Sequence, residues 1–116
     1  MKISIVSIPV TDQARAKEFY LQFGFQLLID APMGGDQRWI QLTLPAAETT
    51  IALVNWFPEM PAGSVRGMVI TVDNIDEKIK ELNDKGIEVE PIETTPWGKF
   101  AAVKDPDGNR LSLHQE

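Results

Sequence analysis

The chain contains no cysteine. That excludes a disulfide framework, a thiol nucleophile and any thiolate metal site. Histidine occurs once, so an imidazole cluster is excluded too, whereas a catalytic divalent metal needs at least three firm ligands from His, Asp, Glu or Cys. Basic side chains are in the minority, 11 Lys and Arg against 17 Asp and Glu, for a net charge of −6. A surface of that sign opposes non-specific nucleic-acid binding and offers no polybasic contact to a membrane. No apolar run approaches the roughly 18 residues of a membrane span, and the opening "MKISIVSIPVTD" alternates like a strand instead of forming the apolar block of a signal peptide. The expectation is a cytoplasmic protein with no nucleic-acid or membrane partner.

What is present is an ordinary globular composition, 43% hydrophobic and 24% charged over 116 residues. That length suits one domain, or two small modules sharing one core. The segment "IPVTDQARAKEFYLQFGFQL" (8–27) aligns with "ITVDNIDEKIKELNDKGIEV" (70–89) at an offset of 62, matching Ile8 to Ile70, Val10 to Val72, Gly24 to Gly86 and Leu27 to Val89. Identities are few, but the order of signals repeats: apolar strand, Asp or Asn start, amphipathic helix, Gly stop, strand.

In the first copy Asp12 is an N-cap for a helix to about Gln22, with Ala16, Phe19, Tyr20 and Phe23 on one face and Gly24 as the stop. In the second, Asn74 caps a helix whose apolar face is Ile75, Ile79 and Leu82, ended by Gly86. Three strands are predicted after each helix, 25–30, 38–44 and 50–56, then 87–92, 98–104 and 109–114. "PEMPAGS" (58–64) reads as a linker between module one (1–57) and module two (65–116) of a single domain. The fold class is α+β, as two tandem βαβββ modules. Near the end, "DPDGN" (105–109) has the alternating acidic residues of a cation loop. An EF-hand-type loop needs ligands through about twelve residues to a closing Glu, whereas Asn109 is followed by the strand pattern Arg110, Leu111, Ser112, Leu113. Pro106 and Asp107-Gly108 make it a turn.

The doubled βαβββ layout, "VTDQARAKEFY…FGF", "VDNIDEKIKELNDKGIEV" and the ending "DPDGNRLSL" together resemble the vicinal oxygen chelate superfamily of glyoxalases, bleomycin-resistance proteins and extradiol dioxygenases. The resemblance covers nearly the whole chain. It implies sheets curved into a cup, helices outside, a small-molecule site inside and, in many members, a homodimer. It also implies where metal ligands would stand in metal-dependent members: Ile5 and Gly67 on the two opening strands, Ala52 before the linker and Ser112 after the closing turn. None of these is a good metal ligand. A slip of one residue would move the position to the other face of the strand, and His114, two residues from Ser112, supplies at most one ligand. No metal or other cofactor is expected.

Alternation assigns Val6, Ile8, Val10, Ile40, Leu42, Leu44, Met68, Ile70, Val72, Leu111 and Leu113 to the helix side. Ile3, Ile5, Ser7, Trp39, Gln41, Thr43, Ala52, Val54, Trp56, Gly67, Val69, Thr71, Arg110, Ser112 and His114 then face the cup, an apolar and aromatic lining with a few orienting polar groups. Of the three tryptophans, Trp39 and Trp56 point inward and Trp97 stands at a Pro/Gly-punctuated strand entry. They either fill the core and an interface or clamp a planar or cationic ligand. Arg38 and Arg66, at strand starts, are candidates to hold an anionic group, against the commoner solvated role. Asp84, Glu88, Glu90 and Glu93 form a water-facing acidic stretch, with recognition of a cationic ligand as the alternative. The candidate ligand-binding set is Trp39, Gln41, Trp56, Trp97, Arg38, Ser112 and His114. The leading functional expectation is a metal-independent small-molecule-binding protein, probed against two others: a glyoxalase-like lyase, isomerase or dioxygenase, and a fold used only for protein contact.

Overall fold

Asp12 leaves the first strand in an extended conformation (φ −113°, ψ 103°), and its carboxylate accepts the Arg15 N–H. This satisfies a donor that the first helical turn cannot. Asn74 does the same for Glu77 in the second half. In a computed structural model covering residues 1–116, these two caps open helices α1 (Gln13–Phe23) and α2 (Ile75–Asp84). Around them run β1 (Ile5–Pro9), β2 (Gln26–Gly34), β3 (Gln37–Thr43) and β4 (Thr50–Val54), then β5 (Met68–Thr71), β6 (Glu93–Thr95), β7 (Gly98–Lys104) and β8 (Arg110–Gln115). The fold is α+β, βαβββ repeated, with sheet orders β1-β4-β3-β2 and β5-β8-β7-β6. In each sheet the opening strand pairs parallel with the closing one.

Period-two alternation decides which side chains meet the helices. Ile8, Val10, Ile40, Leu42, Ile51 and Leu53 are buried from the first sheet, and Ala101, Val103, Leu111 and Leu113 from the second. They join Ala16, Tyr20 and Phe23 of α1 and Ile75 and Leu82 of α2 in one cluster of 17 residues. A single core therefore serves both repeats, and the opposite face of each sheet lies outside it. Val6 is an exception to the expected helix-side set. At the open end of edge strand β1, it is 37% exposed.

The "DPDGN" turn forms as expected and does more than reverse the chain. Asp105 and Asn109 are 4% and 0% exposed. Asp105 accepts the Tyr20 hydroxyl (2.9 Å), the Asn109 amide group (2.8 Å) and the backbone N–H groups of Asp107 and Asn109 (both 2.9 Å). Asn109 also donates to the Pro9 carbonyl (2.9 Å) and accepts the Val65 N–H (3.0 Å). Thr11 donates its N–H and hydroxyl to Asp107. The turn thus clasps α1, the end of β1 and the segment before β5 to one another. Gly63, at φ 83°, lies so close that a Cβ there would collide with the Asp107 carbonyl. Burial, and then the Asp105 charge and hydrogen bond, push the Tyr20 phenol far above its ordinary range.

Three strands differ from expectation by more than one residue. The sixth strand is 93–95, not 87–92; residues 87–92 contribute only the bridge Val89 to Val103 and the bond from Glu90 N–H to Ala102 O. Pro91 has no N–H with which to continue a ladder. Strand β2 runs past residue 30 to Gly34, through two register shifts; as an edge strand it tolerates Pro32. Strand β4 stops at Val54, so Trp56 follows the strand instead of lying within it.

Candidate functional site

On the face of the first sheet turned from the core, Trp39 and Trp56 stack with ring centroids 6.2 Å apart at 29°. Both are half-buried. Phe57 extends the group, 6.1 Å from Trp56. The Trp39 indole N–H donates to Gln41 Oε1 (3.0 Å), Gln41 Nε2 donates to Thr50 Oγ1 (2.9 Å), and that hydroxyl donates to the Ser4 carbonyl (2.9 Å). Indole N–H can only donate, so it fixes the Gln41 amide orientation. Gln41 is therefore committed to holding Trp39, and the chain of bonds locks the indole plane.

The second sheet carries a different set. His114 lies in a row with Thr71 of β5 and Phe100 of β7. Its ring stacks on Phe100 at 4.5 Å and 22°, and its Nε2 is 2.9 Å from the Trp97 carbonyl oxygen. Ser112 is one row away, between Val69 and Ala102. Trp97 stands on the β6–β7 hairpin, 78% exposed. The Thr95 hydroxyl accepts the Trp97 N–H and donates to the Gly98 carbonyl, which rigidifies that tip. Gly98 (φ 120°) is pressed so closely on β8 that a Cβ would collide with the Gln115 carbonyl and crowd His114.

Arg38 corrects the sequence reading. It alternates with Ile40 and Leu42, which are buried on the helix side, and its Nε bonds Asp30 at 2.6 Å, while Lys17 of α1 bonds the other Asp30 oxygen at 2.6 Å. Arg38 thus belongs to an ion triad between sheet and helix, and does not share a face with Trp39. The hydrogen bonds from Lys17, then Arg38, hold the Asp30 carboxyl below its ordinary value. Arg66 is occupied by the carbonyls of Gly63, Val65 and Gly108. Asp84, Glu88, Glu90 and Glu93 are exposed, with Glu90 3.3 Å from Arg110.

At the positions where metal-dependent relatives would carry ligands, Ile5 and Gly67 are exposed, Ala52 is buried and Ser112 half-buried. Nowhere do three His, Asp or Glu side chains converge as an ion would require. Two hollows of the single chain can be described. One is a groove of about 650 Å³ between α1 (Arg15, Glu18, Phe19, Gln22) and residues 86–91. The other, about 360 Å³, lies beside Val10, Val54, Phe57 and Met60. Trp39, Trp97 and His114 line neither. Sequence reasoning missed the Gln41–Thr50 support and Phe100; the latter shares period-two parity with Ala102, opposite Ser112, and that parity could have revealed it.

Residues 2–113 match the Glyoxalase/Bleomycin resistance protein/Dioxygenase superfamily. The structure is similar to that of TnmS3, an antibiotic binding protein from Streptomyces sp. CB03234, with TM-score 0.92 and 42% identity over 99% of this chain and 95% of that one. It is also similar to a glyoxalase/bleomycin resistance protein from the same organism, with TM-score 0.86 and 43% identity over 98% and 100% of the two chains. The uncharacterized protein YetH of Bacillus subtilis (strain 168) is 31% identical over 98% of each chain. A doubled βαβββ fold matched over nearly its full length leaves one assignment: the chain belongs to the glyoxalase/bleomycin resistance/dioxygenase superfamily. No helix is long and apolar enough to cross a membrane.

Proposed function

We propose that the protein binds a planar small organic molecule without a metal ion, on the face walled by Trp39 and Trp56, in a site closed by homodimerisation. The observation that carries this reading is the stacked indole pair itself. The two rings are half-buried on the sheet face turned from the core; Gln41 bonds the Trp39 indole into a fixed plane, and Trp56 stacks on it. Offset stacking rewards an added flat ring, and a preorganised wall lowers the ordering cost of binding it. The donor set at Ile5, Ala52, Gly67 and Ser112 suits no catalytic metal. The likeness to an antibiotic binding protein at 42% identity supports a sequestering role for the same fold.

Dimerisation follows from the faces left open. Ile3 is 68%, Ile5 42% and Val69 50% exposed, and large apolar side chains left in water on both halves favour a covering partner. In the proposed assembly the first sheet of one copy faces the second sheet of the other. Trp39 and Trp56 then share a cup with Trp97, Ser112 and His114 from the partner.

The test combines sedimentation with a fluorescence screen of planar organic compounds. A dimer at micromolar concentration, and indole quenching that a chelator does not alter, are the expected results. A strict monomer removes the dimer. Stoichiometric nickel, zinc or manganese that switches on turnover of a hemithioacetal or a catechol overturns the metal-free reading in favour of an enzyme.

A further inference from the structure

His114 is the only imidazole in the chain, and its surroundings determine which nitrogen carries the proton. The Trp97 carbonyl can only accept, so Nε2, 2.9 Å away, must donate. In the neutral ring Nδ1 is then a bare acceptor. No group of the chain donates to it, and it is not among the buried unpartnered atoms. It therefore keeps contact with solvent, and His114 shares its face of the sheet with Ser112. The ring cannot easily turn to hide it, since one side lies flat on Phe100 at 4.5 Å and the edge is tied to the Trp97 hairpin. Its neighbours in the row are Thr71 and Phe100, with Glu93 beyond Phe100. Lys99 and Gln115 pair on the opposite face.

We infer that His114 Nδ1 receives a hydroxyl or N–H donor carried on the planar ring of the ligand, and so selects donor-bearing aromatic molecules over their alkylated counterparts. This rests on the binding face proposed above and gives it a polar specificity that the indoles lack. In the first sheet the corresponding position is Val54, which pairs with Pro9 as His114 pairs with Thr71. Only the second sheet can read a polar substituent in this way. A donor matched to a fixed acceptor is discriminated more sharply than added apolar area, because its loss leaves a desolvated group unpaired.

The experiment uses β-naphthol and its methyl ether, which share a ring system and differ in the donor, with calorimetric titration and nitrogen NMR of the single imidazole. The free protein should show the Nε2–H tautomer. β-Naphthol should bind about tenfold tighter than the ether, as one neutral hydrogen bond allows, and should shift the Nδ1 resonance while the ether leaves it in place. His114→Phe keeps the flat contact with Phe100 and should abolish the preference by weakening β-naphthol alone; an unchanged affinity for the ether reports that the face is intact. An Nδ1–H tautomer in the free protein overturns the inference. So does equal affinity for the two probes accompanied by indole quenching, a result that leaves the proposed binding face standing. Binding of neither probe overturns both.

Discussion

In the first sheet, the row of Pro9 and Val54, both buried, lies on the face that carries the stacked indoles of Trp39 and Trp56; in the second, the matching row carries Thr71, His114 and Phe100. The turns before the closing strands differ as well. Residues 45–49 of the first repeat are exposed and Ala46 adopts φ 62°, whereas residues 105–109 of the second form the clasp whose buried ends, Asp105 and Asn109, reach Tyr20 and Pro9. One topology, used twice, thus carries two different open faces and two different turns. The first repeat offers flat apolar area, and the second offers a polar acceptor together with the bonds that unite the repeats. The burial that maintains the fold is shared, so the open faces are free to diverge.

The turns provide the largest expected contrast. Asn109→Ala strips bonds to Pro9, Asp105 and Val65 at a fully buried site and should cost about 2–4 kcal/mol in urea unfolding. Pro45→Ala, in the exposed turn of the first repeat, should stay within about 0.5 kcal/mol. Equal costs would dissolve the distinction between clasp and simple turn.

Next in size is the contrast between the open faces. Trp39→Ala should weaken a planar probe by about 1–3 kcal/mol, and Phe100→Ala by about 1 kcal/mol or less, read by calorimetry on variants whose folding has been verified by circular dichroism. A larger loss at Phe100 would move the principal aromatic wall to the second sheet.

A smaller effect tests how much of the clasp lies in its link to α1. Tyr20→Phe removes one bond to Asp105 while Asn109 continues to serve the same carboxylate oxygen, so a loss of about 1 kcal/mol is expected. A loss as large as that of Asn109→Ala would make the tyrosine hydroxyl the principal tie.

The smallest concerns pH and belongs to the first repeat alone. The native pKa of Asp30 is depressed by Lys17 and Arg38, so the triad's contribution is complete above the ordinary Asp value near 3.9 and fades as pH falls through the lower native value. Asp30→Asn should therefore be less stable than the parent at neutral pH, with the gap closing in acid below about pH 4. Partial exposure keeps the gap small. A gap independent of pH would assign the loss to packing.

Both helix starts, the doubled order of elements, the closing turn and most of the buried alternation were legible in the sequence. Each depends on short-range rules: Asp12 and Asn74 cap within three residues, Gly24 relieves a positive φ, and Ile40 and Leu42 share a face because the strand period is two. The same period places Arg38 with Ile40, against the reading that its charge alone suggests. Pro91 likewise carried the reason why residues 87–92 do not form the sixth strand.

The sequence by itself determined the repeat, the signals that start and stop each element, and the absence of a metal donor set at the expected positions, because these are properties of residue type and of neighbours a few positions apart. Only the tertiary structure decided that Tyr20 meets Asp105 across 85 residues, that Asn109 meets Pro9 across 100, and that Gln41 is spent on orienting Trp39. Buried polar groups must find partners, but which partner is nearest depends on how the whole chain closes around one core, and no local pattern encodes that distance.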